Sequence, residues 1–245
     1  RVVLDKFPLG WKKSVVSVSK GIENNTGMRM SQVIIETLHL TTEEIVILSG
    51  PSHAEEVSQK YPTTVVAACA DINHARDVQK LFSNDYFRVY SGNDVIGVEI
   101  GGAAKNIIAL AAGICHGLGY GDNTMAALVT RGLEEIIRLG TTLGAERATF
   151  SGLSGMGDLI VTAFSPHSRN RQVGERIGKG EKLSDILAGM EMVAEGVETA
   201  RSIHGLTQKN NIEMPICEQI YKVLFENISP RQAILKLMGR ELVDE

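Results

Sequence analysis

The pattern of apolar residues changes once along the chain, near residue 94, and this change constrains the fold more than any other feature. Before it, short runs of β-branched residues alternate with amphipathic segments, which is typical of a parallel sheet built from β–α units. After it, apolar residues recur with the helical period of 3.6 residues. The sequence therefore predicts an α/β domain over residues 1–98, followed by an all-helical domain over residues 99–245.

The individual elements follow from the same periodicity. Strands are predicted at residues 14–19, 44–49, 63–70 and 87–90. Helices between them are predicted at residues 29–39, 54–60 and 74–82, the last with Asp71 as its N-cap. In the second domain, helices are predicted at residues 95–118, 123–143, 158–164, 168–178, 183–189, 195–209, 216–226 and 230–238.

Composition excludes several classes of protein. The 245 residues are 43% hydrophobic and 22% charged, with 25 Gly and 6 Pro, as in folded globular chains. The 25 Lys and Arg residues against 29 Asp and Glu residues give a net charge of −4. No global field therefore attracts nucleic acid or an anionic membrane, and any anion site must be local.

Cysteine and histidine usage narrows the chemistry further. Cys69, Cys115 and Cys217 form no CxxC pair, which predicts core thiols in a reducing compartment such as the cytoplasm. The six histidines have no metal-binding spacing, and no Gly-x-Ser-x-Gly elbow supports a nucleophilic serine. The apolar stretch 95–118 carries Glu99 and Lys105, which favours a buried helix over a membrane span.

Residues that follow the first two strands could bind a ligand, because ligands of parallel sheets lie beyond the carboxyl ends of the strands. Lys20, which precedes the permissive Gly21, could hold a phosphate. Ser52, in a Gly50-Pro51-Ser52 turn, is predicted to cap the next helix, whose N–H groups could meet an anion or a carbonyl oxygen. The structural alternatives are a solvated lysine and a simple helix cap.

Lys105 is the only cation between Asp94 and Thr130 and lies in an apolar helical segment rich in small residues. A lysine in such a place must be paired, reach solvent or lose its proton easily. Desolvation would tune it for proton transfer near neutral pH. The alternative is a helix with one wet edge.

The glycine-rich run 151–157 ends on Asp158 and lacks the Gly-Lys-Ser/Thr ending of a phosphate loop. It predicts a turn that delivers Asp158 to a helix start, where the carboxylate could orient a lysine or accept from a substrate hydroxyl. A plain N-cap is the alternative.

The local anion site that the composition requires is predicted at Ser168, Arg169 and Asn170. Residues 165–180 carry four Lys or Arg residues against one Glu. A hydroxyl, a guanidinium group and an amide at a helix N-terminus suit a phosphate monoester. A solvated basic helix face is the alternative interpretation of this segment. The acidic run 192–198 opens a helix and is interpreted by default as a solvated helix terminus.

Taken together, these segments resemble a known family. The motifs are Ser-Lys-Gly at 19–21, Gly-Pro-Ser-x-Ala at 50–54, Gly-Ala-Ala-Lys-Asn at 102–106, Gly-x-Gly-Asp-Leu at 155–159, Ser-Arg-Asn at 168–170 and Val-x-Glu-Gly at 193–196. Their order and intervals resemble the NAD(P)-dependent glycerol-3-phosphate dehydrogenases of bacterial type, over essentially the whole chain.

The resemblance implies a fold and an activity. Residues 1–98 would be the carboxyl part of a Rossmann-type, NAD(P)-binding domain, and residues 99–245 a helical substrate domain. The reaction would interconvert dihydroxyacetone phosphate and sn-glycerol 3-phosphate with NAD or NADP as cofactor, supplying glycerol 3-phosphate for phospholipid synthesis. A homodimer through the helical domain is the family precedent.

The resemblance also implies a role for particular residues. Lys105 would be the catalytic proton donor and acceptor, with Asp158 as its partner. Substrate contacts would come from Lys20, Gly50, Ser52, Lys105, Asp158, Ser168, Arg169 and Asn170. Cofactor contacts would come from Lys20, Ala54, Arg169, Val193 and Glu195.

The amino end departs from the family pattern, because no Gly-x-Gly-x-x-Gly turn precedes residue 20. About 90 residues, or three β–α–β units of about 30 residues each, are expected ahead of Arg1. The chain alone is then expected to bind cofactor poorly, and the function to belong to its parent chain. Two alternatives stay open: a related two-domain hydroxyacid dehydrogenase, and a non-catalytic anion-binding module.

Overall fold

The computed structural model describes residues 15–190 and 193–242. The α/β part contains β1 (Val15–Ser17), α1 (Met30–Leu38), β2 (Ile45–Ser49), α2 (Ala54–Ser58), β3 (Thr63–Ala68), α3 (Ile72–Phe82) and β4 (Phe87–Gly92). Each predicted strand and helix of this part is present in order. Residue 14, the first of the predicted strand 14–19, lies outside the described residues. The same holds for residues 1–13 of the predicted first domain.

The four strands form one sheet in the order β1-β2-β3-β4. The outer pairs β1–β2 and β3–β4 are parallel, but β2 and β3 are antiparallel, with Ile47 opposite Ala68. The sheet is thus mostly parallel, and the prediction of parallel pairing throughout is wrong at this one pair. The helix α2 between these strands has five residues and rises only about 7.5 Å. A five-residue strand extends about 16 Å, so α2 is too short to return the chain to the other end of β2.

The central strand β2 is covered on both faces. Ile45 and Ile47 pack against α1 and Val98, whereas Val46 packs on the opposite face with α3. This burial explains why β2 is a continuous apolar run instead of an alternating one. The predicted N-cap Asp71 does open α3, since its carboxylate accepts from the Asn73 N–H.

Over residues 95–190 and 193–242, the regular secondary structure of the second part is helical, with short turns of 3₁₀ and π type at Arg147–Ser151 and Leu153–Gly157. Its helices are α4 (Val95–Gly117), α5 (Asp122–Thr142), α6 (Asp158–Phe164), α7 (Arg169–Gly178), α8 (Leu183–Ala188), α9 (Glu195–Asn210), α10 (Pro215–Phe225) and α11 (Pro230–Met238). Every helix predicted here is present, with each end within one residue of its predicted position. The predicted boundary between residues 98 and 99 falls inside the first turn of α4.

Helix α4 is the centre of the helical part. Every residue from Gly97 to Cys115 is buried. Among the described residues, α4 is the one helix long and apolar enough to cross a membrane, yet 89% of its apolar window is buried inside the protein. It is a core helix, as its embedded charges predicted. The three cysteines are free and buried, also as predicted.

Helices α4 and α7 cross with their backbones in direct contact. A Cβ atom on Gly113 would lie 2.0 Å from the Arg171 carbonyl oxygen, and one on Gly174 would lie 2.1 Å from the Leu110 carbonyl oxygen. Only glycine fits at either position. The crossing brings the start of α7, with residues 168–170, beside the part of α4 that carries Lys105.

Candidate active site

Lys105 is buried and paired. Its Nζ lies 2.5 Å from Oδ1 of Asp158 and 2.6 Å from Oγ1 of Thr162, and the residue is 5% exposed. Asp158 and Thr162 are four residues apart on α6 and therefore share one face of that helix. The alternative of a wet helix edge at Lys105 is excluded by this burial.

A second lysine reaches the same carboxylate. Lys20 Nζ lies 2.6 Å from Oδ2 of Asp158 and 3.4 Å from the carbonyl oxygen of Gly50. Asp158 is therefore neither a plain N-cap nor one half of a simple ion pair, because both of its oxygens are held by ammonium groups. Two positive charges face one negative charge, which leaves the cluster suited to an anionic ligand.

The environment lowers the pKa of Lys105 to about 8. The main cause is burial, which penalises the ammonium form, and the neighbouring charge of Lys20 acts in the same direction. The attraction of Asp158 opposes both. A lysine with this pKa can give or take a proton near neutral pH.

The cluster opens into a cavity of about 630 Å³. All but two of the predicted site residues line it: Lys20, Ser52, Ala54, Lys105, Ser168, Arg169, Asn170, Val193 and Glu195. The other two, Gly50 and Asp158, lie directly behind it as partners of Lys20. The structure thus gathers residues from six separate segments of the chain.

The basic turn 168–170 is built into the protein at the start of α7. Ser168 and Asn170 are buried, and the Ser168 hydroxyl accepts from the Arg171 N–H at 3.3 Å. The Asn170 Oδ1 accepts from the Gly196 N–H at 2.8 Å, and Arg169 Nη1 donates to the Val193 carbonyl oxygen at 3.0 Å. A solvated basic face is therefore excluded at Ser168 and Asn170.

The same contacts fix the start of α9 against the cavity. Glu195 accepts from Nδ2 of Asn106 at 3.3 Å, and a Cβ atom on Gly196 would lie 2.8 Å from the Asn106 carbonyl oxygen. Val193 is exposed at the cavity mouth, with 69% of its surface accessible. Met192, the first residue of the acidic run 192–198, lies outside the described residues.

One predicted contact is wrong. Ser52 does not cap α2, because the N-cap position belongs to His53 and no side chain caps that helix. The Ser52 hydroxyl instead donates to the carbonyl oxygen of Gly50 at 3.0 Å. Gly50 has a φ of +143°, a conformation that glycine adopts readily, and its carbonyl oxygen is thereby shared by Ser52 and Lys20.

The cavity residues that sequence reasoning did not identify include Asn106, Thr162 and His53. Asn106 directly follows Lys105, and Thr162 follows Asp158 by one helical turn, so the helical period around each predicted residue was an available signal. His53 is the variable position of the Gly-Pro-Ser-x-Ala motif, and no local pattern distinguishes it.

Comparison with family models matches both halves of the chain. Residues 6–75 match the model described as NAD-dependent glycerol-3-phosphate dehydrogenase N-terminus, and residues 94–235 match the corresponding C-terminus model. The chain is 56% identical over 228 residues to the glycerol-3-phosphate dehydrogenase [NAD(P)+] of Listeria innocua, covering 93% of this chain and 68% of that protein. It is 55% identical over 230 residues to the enzyme of the same name from Chlorobium chlorochromatii, covering 94% of this chain and 69% of that protein.

Solved structures give a consistent result. The crystal structure of glycerol-3-phosphate dehydrogenase from Coxiella burnetii superposes with a TM-score of 0.88 at 36% identity, covering 93% of this chain and 69% of that one. Glycerol-3-phosphate dehydrogenase from Saccharomyces cerevisiae superposes with a TM-score of 0.81 at 27% identity, covering 93% of this chain and 68% of that one. The chain therefore spans about two thirds of the length of these relatives.

Proposed function

The chain belongs to the NAD-dependent glycerol-3-phosphate dehydrogenase family, and from this premise we propose that the natural protein interconverts dihydroxyacetone phosphate and sn-glycerol 3-phosphate with NAD(P)H. The observation that carries the proposal is the carboxylate of Asp158 held between Lys20 and Lys105, beside a basic turn. The alternatives of a hydroxyacid dehydrogenase and a non-catalytic module are not favoured, because relatives at 55% identity and above share one enzyme name.

The basic turn is the proposed phosphate site. Ser168 caps α7, a helix of ten residues that begins with Arg169 and Asn170, and all three residues line the cavity. Helix N-termini and guanidinium groups both favour phosphate oxygens. Lys20 adds a second positive charge, and these contacts would fix the carbon skeleton of the substrate against Lys105.

Lys105 is the proposed proton donor and acceptor. A nicotinamide dinucleotide, when bound, supplies or takes the hydride at C2 of the substrate. As the carbonyl is reduced, Lys105 protonates the C2 oxygen, and its positive charge stabilises the negative charge that develops there. Asp158 and Thr162 hold the Lys105 ammonium in place through two of its three donors, leaving the third for the substrate.

The residues around the cavity fit a dinucleotide chemically. Val18, 65% exposed just after β1, and Val193, 69% exposed, offer apolar surface for a ring. Arg169 offers a cation for an anionic group, and Ala54 leaves room at the start of α2. Together with Lys20 and Glu195, these residues are the ones proposed to hold NAD or NADP. Residues 1–98 would belong to the dinucleotide domain and residues 99–245 to the substrate domain.

The cellular setting and the assembly are part of the same proposal. Three free, buried cysteines support a cytoplasmic enzyme that supplies glycerol 3-phosphate for phospholipid synthesis. A homodimer through the helical domain is supported by Met156, Ile160 and Phe164, which are four residues apart and 40%, 45% and 48% exposed. The net charge of −4 and the burial of α4 argue against nucleic-acid and membrane partners.

The test is oxidation of NADH and of NADPH by the full-length protein in the presence of dihydroxyacetone phosphate, beside a Lys105→Ala variant. We expect turnover by the natural protein and a loss of at least about a thousandfold in kcat for the variant, with an unchanged far-UV circular dichroism spectrum. The faster of the two cofactors gives the preference. Absence of turnover with a folded protein, or full activity in the variant, contradicts the proposal.

A further inference from the structure

His53 is a cavity residue that the proposed reaction does not yet use. Its ring is half-buried, and its Nε2 atom is fully buried without a hydrogen-bond partner. Within residues 15–190 and 193–242, no hydrogen bond is made by Nδ1 either. Polar groups in folded proteins are nearly always paired, so the ring nitrogen that is not enclosed, Nδ1, is the one available to a polar group of the ligand.

The charge state of His53 indicates what kind of group that partner is. Burial lowers the pKa of the imidazole, and the positive charge of Lys105 lowers it further, against the opposing carboxylates of Glu55, Asp158 and Glu56. The ring is therefore neutral at neutral pH, with one nitrogen that donates and one that accepts. A hydroxyl group can satisfy either nitrogen because it both donates and accepts, whereas a phosphate is better served by cations.

The place of His53 agrees with this chemistry. Its ring lies close enough to Lys105 and Asp158 for both charges to act on it, and its centroid is 6.2 Å from that of His167. The reacting carbon C2 must lie beside Lys105, and His53 lines the same cavity, so a substrate bound there shares the cavity with the His53 ring. With Nε2 enclosed, Nδ1 is the ring nitrogen that can reach a ligand in the cavity.

We propose that His53 binds the C1 hydroxyl group of the substrate through Nδ1 and so determines specificity for a hydroxymethyl ketone. This inference rests on the proposed function, in which the phosphate is held by residues 168–170 and the C2 oxygen by Lys105. The proposed function assigns protein partners to the phosphate and to the C2 oxygen of dihydroxyacetone phosphate, and none to its C1 hydroxyl. A site built to bind a hydroxyl group discriminates strongly against an analogue that lacks it.

The test compares dihydroxyacetone phosphate with hydroxyacetone phosphate, which carries a methyl group in place of the C1 hydroxymethyl group. The quantity measured is the ratio of kcat/KM for the two ketones, in the full-length enzyme and in His53→Phe, His53→Gln and His204→Phe. His204 is the control, because it stacks on Tyr221 and does not line the cavity. We expect the natural enzyme to prefer dihydroxyacetone phosphate, and His53→Phe to lose roughly tenfold to hundredfold of that preference. His53→Gln, which keeps an N–H donor, should retain part of it, and His204→Phe should retain all of it.

The outcomes separate the two proposals. A natural enzyme that reduces dihydroxyacetone phosphate while His53→Phe keeps the full preference overturns the assignment of His53 alone. Equal losses on both ketones in His53→Phe also overturn it, because a structural or phosphate-binding role acts on both substrates alike. A natural enzyme that reduces neither ketone overturns the proposed function and this assignment with it.

Discussion

Lys105 and Asp158 are 53 residues apart in the chain, yet the Nζ atom of one lies 2.5 Å from a carboxylate oxygen of the other, with both side chains at least nine-tenths buried. The second carboxylate oxygen of Asp158 forms an ion pair with Lys20 at 2.6 Å. Removing any one of the three charges therefore changes the electrostatic interactions of the two that remain.

Loss of the carboxylate should cost more stability than loss of Lys105. Asp158→Asn leaves two ammonium groups facing each other at a buried position, and we expect a loss of about 3 kcal/mol in the free energy of unfolding. Lys105→Met leaves Asp158 still paired with Lys20, and should cost about 1 kcal/mol. Denaturant unfolding of both variants measures the difference. A larger loss of stability in Lys105→Met than in Asp158→Asn would show that Lys20 alone does not neutralise the Asp158 carboxylate.

The lowered pKa of Lys105 predicts opposite pH dependences for the two directions of the reaction. Reduction needs the ammonium form, so kcat/KM for dihydroxyacetone phosphate should fall as the pH rises through about 8. Oxidation of sn-glycerol 3-phosphate needs the free amine and should rise over the same range. The residual activity of Lys105→Met should lack this transition, and a transition that persists there assigns the titration to another group.

Lys20 should control the pKa of Lys105. Its charge contributes to the lowering, so Lys20→Met is expected to move the alkaline limb of the reduction profile to higher pH, besides raising KM. The matched control is Lys80→Met, because Lys80 is 78% exposed on α3 and lines no part of the cavity. An unmoved limb in Lys20→Met would mean that the two ammonium groups do not interact in solution.

The contact between α4 and α7 should tolerate no side chain. Gly113→Ala places a Cβ atom 2.0 Å from a backbone carbonyl oxygen, so the helices must separate. We expect a loss of about 2 kcal/mol or more in stability and a raised KM, because the basic turn moves with α7. Gly205→Ala is the control: Gly205 is in α9 with nothing within 4 Å of its Cβ position, and alanine there should stabilise by about 0.5–1 kcal/mol.

Glu135 should make stability depend on pH independently of catalysis. This buried carboxylate of α5 accepts from the N–H groups of Ile216 and Cys217 at the start of α10. Burial raises its pKa to about 7 from an ordinary value of 4.5. Between these values the folded chain keeps a proton that the unfolded chain has lost, so stability falls as the pH rises from 4.5 to 7.

The variant Glu135→Gln isolates this effect because the amide does not titrate. The stability of the natural protein relative to the variant should decrease by up to about 3 kcal/mol between pH 4.5 and pH 8, as measured by denaturant unfolding. Parallel pH profiles for the two proteins would mean that the carboxylate keeps an ordinary pKa despite its burial.

Local sequence determined the elements accurately. The helix ends of the second part follow from apolar periodicity and short-range signals, such as Ser168 and Ser229, whose hydroxyls cap the helices that follow them. The motif residues Lys20, Lys105 and Arg169 were found because a charge in an unusual local setting is visible in sequence. These features depend on residues only a few positions apart.

Contacts between residues far apart in the chain could not be predicted from local sequence in the same way. The antiparallel pairing of β2 with β3 depends on how far the single turn of α2 can carry the chain, and the hydroxyl of Ser52 bonds to the Gly50 carbonyl oxygen instead of capping α2. Thr162 becomes a cavity residue only because α6 packs against the lysine-bearing helix α4, and His53 only because the turn after β2 lies at the same cavity.

The sequence by itself therefore determined which residues form helices and strands and which charges are out of place in them. Only the tertiary structure decided that Asp158 lies between Lys20 and Lys105, and that glycine contacts bring the turn 168–170 to the same cavity. The physical reason is that secondary structure follows from neighbours along the chain, whereas burial and charge pairing, which set the pKa of Lys105, depend on neighbours in space.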